Sequence, residues 1–276
     1  MRKAVSIVDT TLRDGEQRPG ITFSIEDKIR LAGLLDQAGV YEIEAGFYDA
    51  GLEGRDYIRR IMENRKKALV SVWSLLNPEC VEQAARQKPD LIHIGTPVSY
   101  VQIYHKLKKN KKWVEKTLQD CIQVAKDYGV GVTVGLEDAT RADVAFMNHL
   151  LRLMERQGVE AVRLADTVGI LAPQRARQMV RELKEAVSLK IEIHEHNDFG
   201  MAAANSIVMA AAGADMVDAT LFGIGERAGN CDLYEFVHAA GRKFELDVKK
   251  ADVRRAEILL KEIMAGGKNH DTADGI

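Results

Sequence analysis

Short Val- and Ile-rich runs alternate with longer stretches whose apolar residues recur at helical spacing along almost the whole chain. The runs predict strands at 4–9, 41–47, 69–75, 90–95, 131–137, 161–166, 190–194 and 216–222. The stretches between them predict helices, with the clearest spacing at 25–38, 113–128, 143–156, 173–186 and 202–212. Pro173 suits a first helical turn, and Gly39, Gly129, Gly158 and Gly213 stand where a helix should end and the chain turn back. Strand alternating with helix predicts right-handed βαβ units on a parallel sheet. Eight such units in ~250 residues predict an α/β fold of the (β/α)8, or TIM-barrel, type. A doubly wound open sheet fits less well, because no Gly-rich dinucleotide loop follows the first strand. The barrel is expected over residues 1–246, and a C-terminal helix at 251–264 with a polar tail fills out 247–276.

Composition narrows the function classes. Of 276 residues 46% are hydrophobic and 29% charged, which suits a globular protein with a large core. A formal net charge of −2 offers no electrostatic case for nucleic acid or an anionic membrane, despite the local basic run KLKKNKK at 106–112. No apolar run approaches the ~20 residues that span a bilayer. Arg2 and Lys3 precede only a short apolar stretch ending at Asp9, which is not a secretory signal. Cys80, Cys121 and Cys231 are scattered and odd in number, as expected of reduced thiols in a cytoplasmic protein.

The candidate chemistry falls at the C-terminal ends of the predicted strands, where barrel enzymes carry it. In KIEIHEHNDFG, His194 and His196 are two apart at a strand end, so both imidazoles leave from one face. Such a pair is either a metal site lacking a carboxylate or two histidines bonded to nearby backbone. The first strand runs into DTTLRDGEQ, and Asp14 there can supply the carboxylate, because strands one and seven of a closed barrel are separated only by strand eight. Two imidazoles and one carboxylate with open positions suit Mg²⁺, Mn²⁺, Zn²⁺ or Fe²⁺. Arg13, permanently charged, can stabilise an enolate or alkoxide beside that metal, or form a structural salt bridge. Glu137 in GLEDATR is a candidate acid–base or orienting group, although an N-cap cluster around Asp138 and Thr140 accounts for part of the motif. Thr167 in ADTVG can bind a carboxylate or simply close a turn. The loop GIGERAGN at 223–230 permits close backbone approach, and Asn230 can offer an amide oxygen to the metal.

Together DTTLRDGEQRPG, HEHNDFG and GERAGN resemble the aldolase-type barrel enzymes that make or break carbon–carbon bonds next to an acyl-thioester. That family includes isopropylmalate, citramalate and homocitrate synthases and hydroxymethylglutaryl-CoA lyase. The resemblance runs from about Ile7 to about Gly241. Through PVSYVQIYHKLKKNKKW, GLEDATRAD and LADTVG the chain looks most like nitrogenase-associated homocitrate synthases. The resemblance implies that Asp14, His194 and His196 bind a divalent metal (Mg, Mn or Zn), with Asn230 ligating or close by. Arg13 would be catalytic with Glu137, while Arg13, Gln17, Thr133 and Thr167 would position substrate. Acetyl-CoA would condense with a 2-oxo acid, 2-oxoglutarate first, in a homodimer. A synthase using another 2-oxo acid, a lyase running the reverse cleavage, and the barrel subunit of a split synthase remain open.

Two departures from the family pattern stand out. Family synthases continue into a segment that contributes a proton-transfer histidine, whereas the only histidine of this tail is His270, in GGKNHDTADG. That leaves a naturally short chain, a separate subunit, or truncation. Homocitrate synthases of lysine biosynthesis also place cations on the inner faces of strands three and five. Here those strands read VSVWSL and GVTVG, so the hydroxyls of Ser74 and Thr133, with His93 on strand four, would have to take their place.

Overall fold

The computed structural model of the chain describes residues 2–48 and 56–266. Eight parallel strands close into a barrel: β1 (Ser6–Asp9), β2 (Glu42–Tyr48), β3 (Leu69–Leu75), β4 (Leu91–Pro97), β5 (Gly131–Glu137), β6 (Ala161–Asp166), β7 (Lys190–Glu195) and β8 (Met216–Ala219). β1 pairs with β2 through Val8 and Glu42, and with β8 from Ser6–Met216 to Asp9–Ala219, which closes the ring. The helices are α1 (Ile25–Ala38), α2 (Asp56–Asn64), α3 (Pro78–Arg86), α4 (Lys111–Asp127), α5 (Val144–Arg156), α6 (Pro173–Ala186), α7 (Ala202–Ala212), α8 (Leu233–Ala240) and α9 (Lys250–Gly266).

Alternation along each strand sorts the core. Val70 and Val72, Val132 and Val134, and Ile191 and Ile193 are buried on one strand face. The intervening Ser71, Thr133, Glu192 and His194 take the opposite face, towards the barrel axis. The interior of the ring is therefore unusually polar, and the apolar core lies mostly between sheet and helices.

Several elements differ from the pattern expected of the sequence. The first run splits at Val5: Lys3–Ala4 pairs with Phe244–Glu245 in a separate two-stranded sheet, and only Ser6–Asp9 joins the barrel. β8 ends at Ala219, because Phe222 takes a left-handed conformation (φ 56°) inside a 3-10 turn, Leu221–Gly223. α2 and α3 were not among the clearest helical stretches, being only 9 residues each; α3 is marked by Asn77, whose side chain accepts from the Glu79 amide, and by Pro78. Between β4 and α4 the chain forms a π-helix, Val101–Lys106. Asp143, not Asp138, caps α5, accepting from the Ala145 and Phe146 amides. α9 lies against α1 and α8. The chain leading into it passes so close to the end of α1 that a Cβ on Gly39 would stand 2.6 Å from the Asp247 carbonyl oxygen. His270 lies outside the described residues. No helix among the described residues is long and apolar enough to cross a membrane.

Candidate metal centre

β1 delivers the Thr10–Gly15 turn at its C-terminal end, and the amide of Asp14 bonds back to the Thr10 carbonyl at 2.8 Å. That turn aims the Asp14 carboxylate at the end of β7. His194 Nε2 lies 3.5 Å and His196 Nε2 3.8 Å from Asp14 Oδ2. The three residues are buried, and one donor atom from each falls within 4.8 Å of the other two. The imidazole planes stand nearly perpendicular, at 88°.

Each imidazole is anchored through its other nitrogen. His194 Nδ1 meets Asp218 Oδ2 at 2.9 Å, and His196 Nδ1 meets the Asp166 carbonyl at 3.3 Å. Nδ1 anchored and Nε2 facing the carboxylate is how metal-binding histidines are usually oriented. His196 Nε2 is buried with no hydrogen-bond partner, and so is Asn230 Oδ1. Two orphaned acceptors beside a buried carboxylate suit a divalent cation, since each otherwise costs about 1–3 kcal/mol. Asp14 Oδ1 accepts from the Glu226 amide at 2.9 Å and from Asn230 Nδ2 at 2.8 Å. Gly225 makes this approach possible: a Cβ there would stand 1.9 Å from Asn230 Nδ2 and 2.5 Å from Asp14 Oδ1.

Arg13 donates to Asp14 Oδ2 at 2.9 Å and to Glu44 Oε2 at 2.6 Å. Burial opposes ionisation of Asp14, but Arg13 and the two imidazoles outweigh it and hold the carboxyl well below its usual range. Behind this corner the barrel interior carries a layer of buried ionisable groups. Arg163 donates to Glu44 at 2.9 Å and to Glu192 at 2.7 Å, and lies 2.9 Å from Asp218. Burial pushes Glu42 up to about 8, helped by the charge of Glu192, and pushes Asp218 up to about 7. Glu44 is also desolvated, yet Arg13 and Arg163 together hold it below its usual value. Sequence reasoning missed Glu44, Arg163, Glu192 and Asp218. The signal was a charged residue at alternate positions of strands that a barrel covers on both sides (EIE, VRL, IEI, VDA), where otherwise unbroken apolar runs are the rule.

A cavity of about 750 Å³ opens onto this corner. Arg13, Asp14, Gln17, Glu137, Thr167, His194 and His196 line it. The structure thus brings seven of the nine expected residues to one cavity. Gln17 Oε1 accepts from Arg13 at 3.4 Å. The Thr167 hydroxyl accepts from the Asp138 amide at 2.8 Å and points to Glu137 Oε2 at 3.4 Å, so turn closure and an orienting contact coexist. Asn230 is buried behind Asp14. Thr133 does not reach the cavity wall; its hydroxyl shares a 2.8 Å hydrogen bond with His93 Nδ1. Burial, with the charges of Arg163 and Arg13, pushes His93 well below its ordinary range and keeps it neutral. Asp138 stands at the N-terminal end of the 3-10 turn Ala139–Arg141 with φ +60°, makes no side-chain cap there, and pairs with Arg141 at 2.7 Å.

The HMGL-like family model matches residues 4–260. The chain is 41% identical to a protein of Clostridium pasteurianum named homocitrate synthase subunit alpha, over 84% of this chain and 87% of that one. It is 38% identical to 2-isopropylmalate synthase 2 of Caldanaerobacter subterraneus subsp. tengcongensis, over 96% of this chain and 69% of that one. The barrel superposes on an HMG-CoA lyase from Brucella melitensis with a TM-score of 0.83, covering 95% and 99% of the two chains at 21% identity, a likeness of fold. The chain belongs to the HMGL-like family.

Proposed function

We propose that this HMGL-like enzyme condenses acetyl-CoA with a 2-oxo acid in a divalent-metal-dependent Claisen reaction, with 2-oxoglutarate the first-choice acceptor. The observation that carries it is the buried Asp14, His194 and His196 triad with Arg13 beside it on the cavity wall. The relatives named as homocitrate and isopropylmalate synthases support the acceptor class.

Asp14, His194 and His196 would hold the metal, and Asn230 Oδ1, buried without a partner, would join them. When bound, the metal supplies a Lewis acid for the oxo and carboxylate oxygens of the acceptor. Condensation removes a proton from the acetyl methyl, joins that carbon to the acceptor's oxo carbon, and leaves negative charge on the former ketone oxygen. Arg13 can balance that charge without itself releasing a proton. Its pairing with Glu44 at 2.6 Å fixes the guanidinium in place before substrate arrives. Glu137 and Thr167 hold one another at the cavity wall and Gln17 braces Arg13, so these three orient the reactants. Hydrolysis of the thioester then releases the hydroxy acid and free CoA. The three cysteines are buried and free, which fits a cytoplasmic setting. A homodimer is the default assembly; the relative named as a subunit alpha also supports a separate subunit.

Thiol release from acetyl-CoA, measured with a panel of 2-oxo acids and Mg²⁺, Mn²⁺ or Zn²⁺, tests the reading. Free CoA that appears only when an oxo acid is present is expected. Cleavage of a hydroxyacyl-CoA with no release from any oxo acid would instead make the enzyme a lyase.

A further inference from the structure

The cavity continues well beyond the metal corner. It passes Trp73 and Gly95 on the inner faces of β3 and β4 and reaches Trp113 and Lys106, where the π-helix ends. The indole of Trp73 lies against β4 so closely that a Cβ on Gly95 would stand 2.1 Å from its Cζ2. The inner strand faces on this side carry no cation: Ser71, Trp73, His93 (neutral), Thr133 and Gly135 occupy them.

Three cations line the cavity, and two are already engaged. Arg13 is held by Asp14 and Glu44, and Arg163 by Glu44, Glu192 and Asp218. The Lys106 side chain makes no hydrogen bond or ion pair among the described residues. Asp120, also on the wall, is paired with Lys116 at 2.7 Å. A π-helix is rare and occurs frequently at functional sites. Here its wide turn ends on the one cation of the cavity that is unengaged among the described residues.

We propose that Lys106 receives the far carboxylate of a dicarboxylic 2-oxo acid whose oxo end lies at the metal corner. This rests on the oxo-acid reading given above and supplies the cation that β3 and β5 lack. The phosphates of CoA fit this end less well, because they call for several convergent cations. The neighbouring lysines do not converge on the cavity: Lys109 lies over the Trp113 ring at 5.3 Å, Lys111 pairs with Asp143, and Lys108 and Lys112 are off the wall.

Calorimetric titration of the full chain with metal, using 2-oxoglutarate and 2-oxovalerate, tests the assignment. The two acids have the same chain length and differ in the far carboxylate. The unsubstituted chain should prefer 2-oxoglutarate by about tenfold or more, the worth of one charge-assisted hydrogen bond at a partly solvated site. Lys106→Ala should reduce that ratio to near one, Lys106→Glu should invert it, and Lys106→Arg should restore most of it. Lys106 is exposed, so folding of the variants is checked simply by unchanged melting temperatures. No preference in the unsubstituted chain, or one that survives Lys106→Ala, overturns the assignment while leaving the oxo-acid reading intact. Binding of neither acid to the metal-loaded chain overturns both.

Discussion

The wall built by β1, β7 and β8 and the wall built by β3, β4 and β5 enclose one cavity with opposite chemistry. On the first, the metal-facing side chains are held from several directions: Asp14 by Arg13, Asn230 and the Glu226 amide, and His194 between Asp14 and Asp218. On the second, the buried polar pair His93–Thr133 is neutral and shares a hydrogen bond, and Trp73 lies against Gly95. The difference fits what each wall would do in the proposed reaction. A metal needs ligands fixed to within a fraction of an ångström, which only an over-determined set of buried contacts provides. An acceptor's far end needs only shape and one charge, and Lys106 at the rim can be exchanged without disturbing the buried layer.

Breaking the first wall should have the largest effect. His194→Ala should remove most bound divalent metal, read by elemental analysis, and lower activity by more than about a hundredfold, since losing an orienting partner alone costs 10–100-fold. Metal content equal to that of the unsubstituted protein would refute the ligand assignment. Glu42 probes the floor beneath that wall. Its folded-state pKa is raised from an ordinary 4.5 to about 8, so the folded protein retains a proton that the unfolded chain releases above about pH 4.5. Stability attributable to this group is therefore full below pH 4.5 and lost as pH rises towards 8. Glu42→Gln should match the unsubstituted protein near pH 4.5 and exceed it by about 3 kcal/mol at pH 7 in urea unfolding. Equal pH profiles would show that Glu42 is ionised in the fold. Asp218→Asn keeps the shape beside His194 but removes the carboxylate, and metal affinity should fall by about 10–100-fold with the fold retained.

How much of this was readable beforehand also divides along the two walls. The barrel followed from eight Val/Ile-rich runs alternating with helical stretches, because the strand faces covered by helices keep their apolar residues even where the barrel interior is polar. Asp14, His194 and His196 were readable because two-residue spacing on a strand fixes a common face, and barrel closure brings strand one near strand seven. Asp218 and Arg163 were not singled out, because an isolated charge in an apolar strand does not declare its partners; Glu44, Glu192 and Asp218 come from three strands far apart in sequence. Phe222 shortened β8 for a similar reason: its positive φ serves the approach of the 223–230 loop to Asp14, a tertiary demand that no local propensity records. On the other wall, Thr133 read as a substrate contact from its strand position alone. That position faces inward, but His93 from the neighbouring strand takes up its hydroxyl.

Thr133 therefore gives the smallest and most discriminating test of the comparison. Thr133→Val preserves the shape of the side chain and removes the hydroxyl that meets His93 Nδ1. Because His93 Nε2 is already buried without a partner, the variant leaves a second ring nitrogen unpaired. That should cost about 1–2 kcal/mol in urea unfolding. The hydroxyl lies off the cavity wall, so the affinity for 2-oxoglutarate should change by less than about twofold, far below the worth of a direct hydrogen bond to a carboxylate. If Thr133→Val instead weakened 2-oxoglutarate about tenfold and left stability alone, the acceptor would run along β5 and not towards Lys106. The far wall would then recognise its ligand as the metal wall does, through side chains on the strands themselves.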